Sequence, residues 1–202
     1  MKNETLLIYD NEIKRKKFHI LSFIIPLYYI FFPNSIILFI SSLLIFILSI
    51  DIYRIRYNKV INLPIIKNIK STIRPYEKNG LMSATLLTIT SLIIILLFKK
   101  NIAILSISIA AICDTAAAIY GMKYGKIKLL FNKTLEGSFA FLISGSILVF
   151  LLKSILNIKL DIIFIIICVI TATIIESITP TKYDNISVPI SSAIALYIFY
   201  TI

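Results

Sequence analysis

Seven apolar runs, separated by polar and basic turns, constrain this chain more than any other feature. They lie near residues 18–32, 35–50, 81–98, 102–120, 138–152, 160–178 and 186–201. A helix needs about 20 residues, with a range of roughly 17–25, to cross the hydrocarbon core of a bilayer. The runs therefore predict an all-α, polytopic transmembrane helical bundle of about seven spans. The first two are short for a full crossing. They read either as one re-entrant hairpin or as two helices completed by interfacial residues. Residues 1–17 form a polar, basic arm, and residues 18–202 form a single transmembrane domain with one long connection, loop 51–80.

Composition agrees. The chain is 58% hydrophobic and 15% charged, with a mean hydropathy of +0.93, far from the soluble balance. The abundance of isoleucine reflects an AT-rich genome more than a physical need. A net charge of +11 could point to nucleic acid, but basic loops beside membrane spans follow the positive-inside rule, and no nucleic-acid partner is expected. With the N-terminus inside, the arm, loop 51–80, loop 121–137 and loop 179–185 are cytoplasmic. They hold 17 of the 21 Lys and Arg residues, which favours that orientation. The expected location is a multi-pass protein of the inner or plasma membrane in a prokaryote, or of the endoplasmic reticulum in a eukaryote. No small-residue cleavage site follows the Lys14–Lys17 block, so the first run reads as a retained span rather than a secretory signal. Cys113 and Cys168 both fall inside apolar runs and form neither a disulfide framework nor a metal-spaced cluster.

Within loop 51–80, Pro64 suits a first helical turn. Ile65, Ile66, Ile69 and Ile73 would then share one face, with Lys67, Lys70 and Arg74 on the other. This reads as an interfacial amphipathic helix or as a merely basic connector.

The polar constellations all fall on the inner side, where soluble nucleotide and Mg²⁺ are available. Asp114 is the sharpest of them, because an ionisable residue in a membrane-length run is costly. Ala110, Ala111, Ala117 and Ala118 share its helix face and leave room for a ligand or a close neighbour. Asp114 reads as a Mg²⁺ ligand or general base, or as a buried partner for Lys or Arg. Glu176, near the helix end closed by Pro180, and Asp184 with Asn185 supply hard oxygen donors suited to Mg²⁺. Asp-Asn is also ordinary turn chemistry. The KTLEGS stretch at 133–138 opens a helix whose free N–H groups, together with Lys133, favour an anion. It lacks the glycine spacing of a P-loop. Gly121 and Gly125 free the preceding loop to wrap a ligand. Lys123 and Lys128 read as positive-inside charges. His19, the only histidine, stands beside a basic run at a membrane entrance and is either structural or a phosphate contact or proton shuttle. Together these parts suit phosphoryl or nucleotidyl transfer.

Their order resembles the CTP-dependent lipid kinases: dolichol kinase, the fungal-type diacylglycerol kinase and phytol kinase. The carriers are RKKFH at 15–19, Asp51 with Arg54, Glu77 with Gly80, CDTAAAIYGMKYGK at 113–126, KTLEGS at 133–138, and ESITP…YDNISVP at 176–189. The family usually has Gly where Cys113 stands. The resemblance covers residues 15–190. It implies a phosphotransferase with an alcohol acceptor, whose transmembrane domain is catalytic and transfers the γ-phosphate of CTP to a lipid alcohol such as diacylglycerol or a polyprenol, with Mg²⁺ or another divalent cation. It implies catalytic roles for Asp114, Lys133, Glu136 and Asp184. Metal ligation falls to Asp114, Glu176 and Asp184. Nucleotide or phosphate contacts fall to Arg15, Lys16, His19, Gly121, Gly125, Lys126, Thr134, Gly137 and Asn185. The alternatives are a CTP:phosphatidate cytidylyltransferase, whose long C-terminal signature is missing, and a transporter or non-catalytic membrane protein.

Overall fold

The computed structural model describes residues 2–57, 73–74 and 77–201. Among these the chain is helical, with no named strand. The elements are α1 (Lys2–Leu21), α2 (Ile24–Phe31), α3 (Ile36–Tyr57), α4 (Ser83–Leu97), α5 (Lys100–Tyr124), α6 (Leu135–Ile155), α7 (Ile162–Ile178) and α8 (Asp184–Thr201). The apolar runs from 35 onward each became one helix; α3, α5, α6 and α8 extend beyond their runs, while α4 and α7 fall just short of theirs. The run at 18–32 did not. It divides between the end of α1 and the eight-residue α2, joined by turn bonds from Phe23 N–H to the Ile20 carbonyl and from Ile25 N–H to the Ser22 carbonyl. Phe32 and Pro33 then end α2, since proline offers no N–H to continue a helix. The basic block at 14–17 is part of helix α1. The amphipathic helix expected over 64–74 lies outside the described residues, except for Ile73 and Arg74.

Among the described residues, three helices are long and apolar enough to cross a membrane: Pro33–Tyr57 with its leading 3-10 turn, Lys100–Tyr124 and Leu135–Ile155. The apolar helices Ser83–Leu97, Ile162–Ile178 and Asp184–Phe199 are shorter. Helix α5 is the axis of the bundle. Every residue from Ile102 to Ala111 and from Cys113 to Thr115 is buried, as expected of a helix that is apolar all round. It packs most extensively on α6 and also contacts α1, α2, α4 and α8. Helix α7 closes against α6 and α8, while α3 stands outside, against α4. Gly145 lets α6 approach closely: a Cβ there would lie 2.5 Å from Val169 Cγ1 and 3.4 Å from Cys113 Sγ. Outward faces stay apolar, as in the α6 series Phe139, Ile143, Ile147 and Phe150. Buried hydroxyls bond back to their own helix, Ser108 to the Ile104 carbonyl at 2.6 Å and Thr115 to the Ala111 carbonyl at 3.0 Å.

One polar clasp ties α3 to α4. Asp51, fully buried, accepts from Arg54 Nη2 at 2.8 Å, from Met82 N–H at 2.9 Å and from Thr85 Oγ1 at 2.5 Å. Arg54 also donates to the Glu77 carbonyl at 2.6 Å, the Lys78 carbonyl at 3.1 Å and the Gly80 carbonyl at 2.6 Å. Glu77 accepts from Arg74 N–H at 2.9 Å, from Ser83 N–H at 3.0 Å and from the Ser83 hydroxyl. Removing one partner of a buried pair strands the other charge, at a cost of about 3–5 kcal/mol. Arg54→Ala is therefore expected to lower the thermal midpoint of the detergent-solubilised protein sharply, and the double change Asp51→Leu with Arg54→Met less so. Equal losses would show that the clasp is not an electrostatic unit.

Candidate active site

At one end of the bundle, the C-terminal half of α5 meets the starts of α6 and α8, the end of α7 and the basic block of α1. They enclose a cavity of about 310 Å³, at the lower end of the range for small-ligand pockets. Its lining includes Arg15 and Lys16 from α1, Asp114 from α5, Lys133 and Thr134 before α6, Glu176 from α7 and Asp184 from α8.

The acids are grouped. Asp114, Glu176 and Asp184 each offer one oxygen, and these oxygens lie within 4.8 Å of one another. All three residues are buried. Lysines hold them together. Lys16 donates to Asp114 Oδ2 at 2.5 Å and to the Asp114 carbonyl at 3.1 Å. Lys133 lies 2.9 Å from Glu176 Oε1 and 2.8 Å from Asp184 Oδ1, and also donates to the Glu176 carbonyl. Asp184 Oδ2 is buried without a hydrogen-bond partner, as is the Ser138 hydroxyl. Both residues line the cavity. A hard-oxygen trio with one unsatisfied carboxylate oxygen fits a divalent cation, and these three residues are the ones that could hold it. The two sequence readings of Asp114 are thus compatible: it is the partner of Lys16 and also a member of the trio.

Burial sets the electrostatics outside the apolar runs. It pulls the Lys16 ammonium below its usual range, against the opposing pull of Asp114. At Glu12 burial works upward, but Arg15 and Arg74 outweigh it and hold the carboxyl below the usual range.

Small residues make the cavity. A Cβ on Gly137 would lie 2.9 Å from the Ala117 carbonyl and 3.0 Å from Thr134 Oγ1, and a Cβ on Gly121 would lie 2.6 Å from Thr134 Oγ1. Helices α5 and α6 can therefore come this close only with glycine at these points. Thr134 caps α6, its hydroxyl accepting from Gly137 N–H at 3.2 Å. Before it, residues 127–135 form a tight loop, with Leu129 N–H bonded to the Lys133 carbonyl at 2.7 Å and Leu135 N–H to the Ile127 carbonyl at 3.0 Å. At its tip Phe131 and Asn132 have φ of 55° and 62°, a left-handed pair that is costly for Phe. Both line the cavity, and such strain gathers at ligand sites.

Of the residues singled out in the sequence, Arg15, Lys16, Asp114, Gly121, Lys133, Thr134, Gly137, Glu176 and Asp184 line the cavity. Five do not. Glu136 is turned to the Ile127 N–H, at 3.2 and 3.3 Å from its two oxygens, so it closes the loop rather than facing the carboxylates. Lys126 is exposed in that loop. Gly125 ends α5, with its N–H on the Gly121 carbonyl. His19 and Asn185 stand behind Asp114: His19 Nε2 is 2.8 Å from Asn185 Oδ1 and 3.5 Å from Asp114 Oδ2. Asn185 Nδ2 donates to the Ser83 carbonyl at 3.2 Å, so this pair orients Asp114 and ties α8 to α4. Cys113 is fully buried, near Gly145 and off the cavity. The sequence reading missed Glu12, Arg74, Met122, Phe131, Ser138 and Thr181, all of which line it. Glu12 and Arg15 carried a visible helical i, i+3 spacing. Arg74 carried only its charge.

Over 199 residues the chain is 34% identical to the "Uncharacterized protein RP860" of Rickettsia prowazekii (strain Madrid E), a match that covers 95% of this chain and 96% of that protein. No protein-family model matches the chain, and no solved structure matches it.

Proposed function

The chain belongs to the family of the Rickettsia prowazekii protein RP860, and we propose that it is a multi-pass membrane phosphotransferase, a CTP-dependent lipid kinase that moves the γ-phosphate of CTP to a lipid alcohol. One observation carries the reading. Three buried carboxylates able to share a divalent cation meet lysines and arginines in one cavity, at one end of an apolar bundle. The resemblance of the blocks at 15–19, 113–126, 133–138 and 176–189 to that enzyme group points the same way.

In this reading the kinked α1–α2 pair and helices α3 to α8 make seven crossings. The 15-residue α4 measures about 22 Å at 1.5 Å per residue, and the segments at its ends complete its span. The basic end faces the cytoplasm, where CTP is available. A Mg²⁺ ion held by Asp114, Glu176 and Asp184 would neutralise charge on the transferring phosphoryl group. Lys133 places a fixed positive charge beside the same group. The acceptor hydroxyl attacks the γ-phosphorus, the bond to the β-phosphate oxygen breaks, and CDP leaves. The hydroxyl proton passes to a carboxylate oxygen of the trio that the cation would leave free. Ala117, Ala118, Met122 and Phe131 line the same cavity and give the first carbons of the alcohol an apolar wall.

Purified protein in lipid vesicles, given γ-labelled and α-labelled CTP with a panel of diacylglycerol, polyprenol and phytol, tests the reading. Label from the γ position on a lipid is expected. Label from the α position would mean cytidylyl transfer, and no lipid label at all would overturn both. Asp114→Asn is expected to cut turnover at least about a hundredfold while the protein keeps its elution in detergent. Unchanged turnover would remove Asp114 from the reaction. Lys133→Ala should raise KM for CTP more than KM for the lipid, and the reverse would displace the phosphate from Lys133.

A further inference from the structure

Two guanidinium groups of the cavity wall share a single acid. Glu12 accepts from Arg15 Nε at 3.1 Å, pairs with Arg15 Nη2, and accepts from Arg74 Nη2 at 2.7 Å. All three residues line the cavity and are part-buried. Arg15 comes from α1. Arg74 comes from the long connection, 62 residues beyond Glu12, where the buried clasp takes over. Glu77 Oε2 holds the Arg74 N–H, and Arg54, fixed by Asp51, holds the carbonyls of Glu77, Lys78 and Gly80. The Asp51–Arg54 and Glu77–Gly80 motifs thus have a structural consequence at the cavity, although none of these four residues lines it.

Charge explains why the arrangement matters. The carboxylate trio with Lys16 and Lys133 carries one net negative charge, which a divalent cation would turn into one positive. The Arg15–Glu12–Arg74 triad adds one more positive charge. A cation-loaded cavity therefore seeks an anion. Guanidinium forks match the spacing of phosphate oxygens, and a carboxylate between two of them occupies an oxygen position that a phosphate can take.

We propose that Arg15 and Arg74 form a polyphosphate subsite in which the Glu12 carboxylate stands in for a phosphate until the donor displaces it, and that the Asp51–Arg54–Glu77 clasp positions Arg74 for this. The subsite deepens the nucleoside-triphosphate reading above and rests on it for the identity of the donor. Glu12 releases the two arginines to the incoming phosphates and swings toward solvent, so it competes with the ligand it imitates. Arg74 is a binding residue, and Asp51, Arg54 and Glu77 act only through it.

The test uses full-length protein in detergent, with inorganic tripolyphosphate and Mg²⁺ as the probe, titrated by calorimetry. Mn²⁺ binding is followed separately by electron paramagnetic resonance. Arg74→Ala should weaken tripolyphosphate binding about tenfold or more, with Arg74→Lys recovering part of the loss. Glu12→Gln should tighten it several-fold. Glu77→Gln should weaken it while leaving Mn²⁺ binding unchanged, a separation that general destabilisation would not produce. Unchanged affinity in Arg74→Ala overturns the subsite. Loss of affinity in Glu12→Gln as large as in Arg74→Ala overturns the stand-in role, since Glu12 would then be a scaffold for the arginines. The two readings fail separately. The expected tripolyphosphate pattern in a protein that transfers no phosphate leaves the subsite standing and removes the kinase. Phosphate transfer with Arg74→Ala indifferent to tripolyphosphate and to CTP does the opposite.

Discussion

Three buried carboxylates cannot crowd together unless something offsets their repulsion, and here two lysines do so from different parts of the chain. Lys16 arrives from α1 and is almost wholly enclosed. Lys133 arrives from the loop before α6 and bridges α7 to α8 through Glu176 and Asp184. Each pair is both an electrostatic necessity and a tie between separate elements. Without the acids the lysines would be stranded, and without the lysines the acids would have to take up protons. The middle of the bundle, from Ile102 to Ile109 and around Phe141 and Val169, is held chiefly by packing. Two kinds of cohesion therefore divide the molecule along its length.

The division also shapes the cavity. Apolar helices pack to contact and leave no room, yet 310 Å³ stays open where α5 and α6 cross. Gly121 and Gly137 let α5 and α6 touch at its wall, where a Cβ would meet Thr134 Oγ1 or the Ala117 carbonyl, and Thr134 caps α6 on Gly137 N–H. The left-handed residues Phe131 and Asn132 close the cavity's edge. Backbone strain at Phe131 and Asn132 and an unpartnered carboxylate oxygen at Asp184 border the same cavity. Both lower stability, and a ligand would satisfy the free oxygen.

Much of this was legible in the sequence, because hydrophobic runs and the residues ending them follow a one-dimensional rule. The runs from 35 onward became helices, and since neighbouring helices alternate in direction, the end of α5 had to meet the start of α6, and the end of α7 the start of α8. That placed Asp114, Lys133, Glu176 and Asp184 near one another before any coordinates. The run at 18–32 broke into two because Pro33 and the turn at Ser22–Phe23 act locally. Direction was the harder matter. Glu136 stands three residues from Lys133, but its position in the first turn of α6 sends it back to the Ile127 N–H. His19 stands three from Lys16, but one helical turn carries it behind Asp114. Arg74 meets Glu12 across 62 residues, and no periodicity encodes such a meeting.

The proposed transfer rests on a cation shared by Asp114, Glu176 and Asp184. Crystals of the full-length protein grown with Mn²⁺, measured at the manganese absorption edge, address that directly. One anomalous peak bonded to oxygens of all three carboxylates, and lost in Asp184→Asn, is the expected result. A peak elsewhere, or none at Mn²⁺ concentrations that support full turnover, would contradict it.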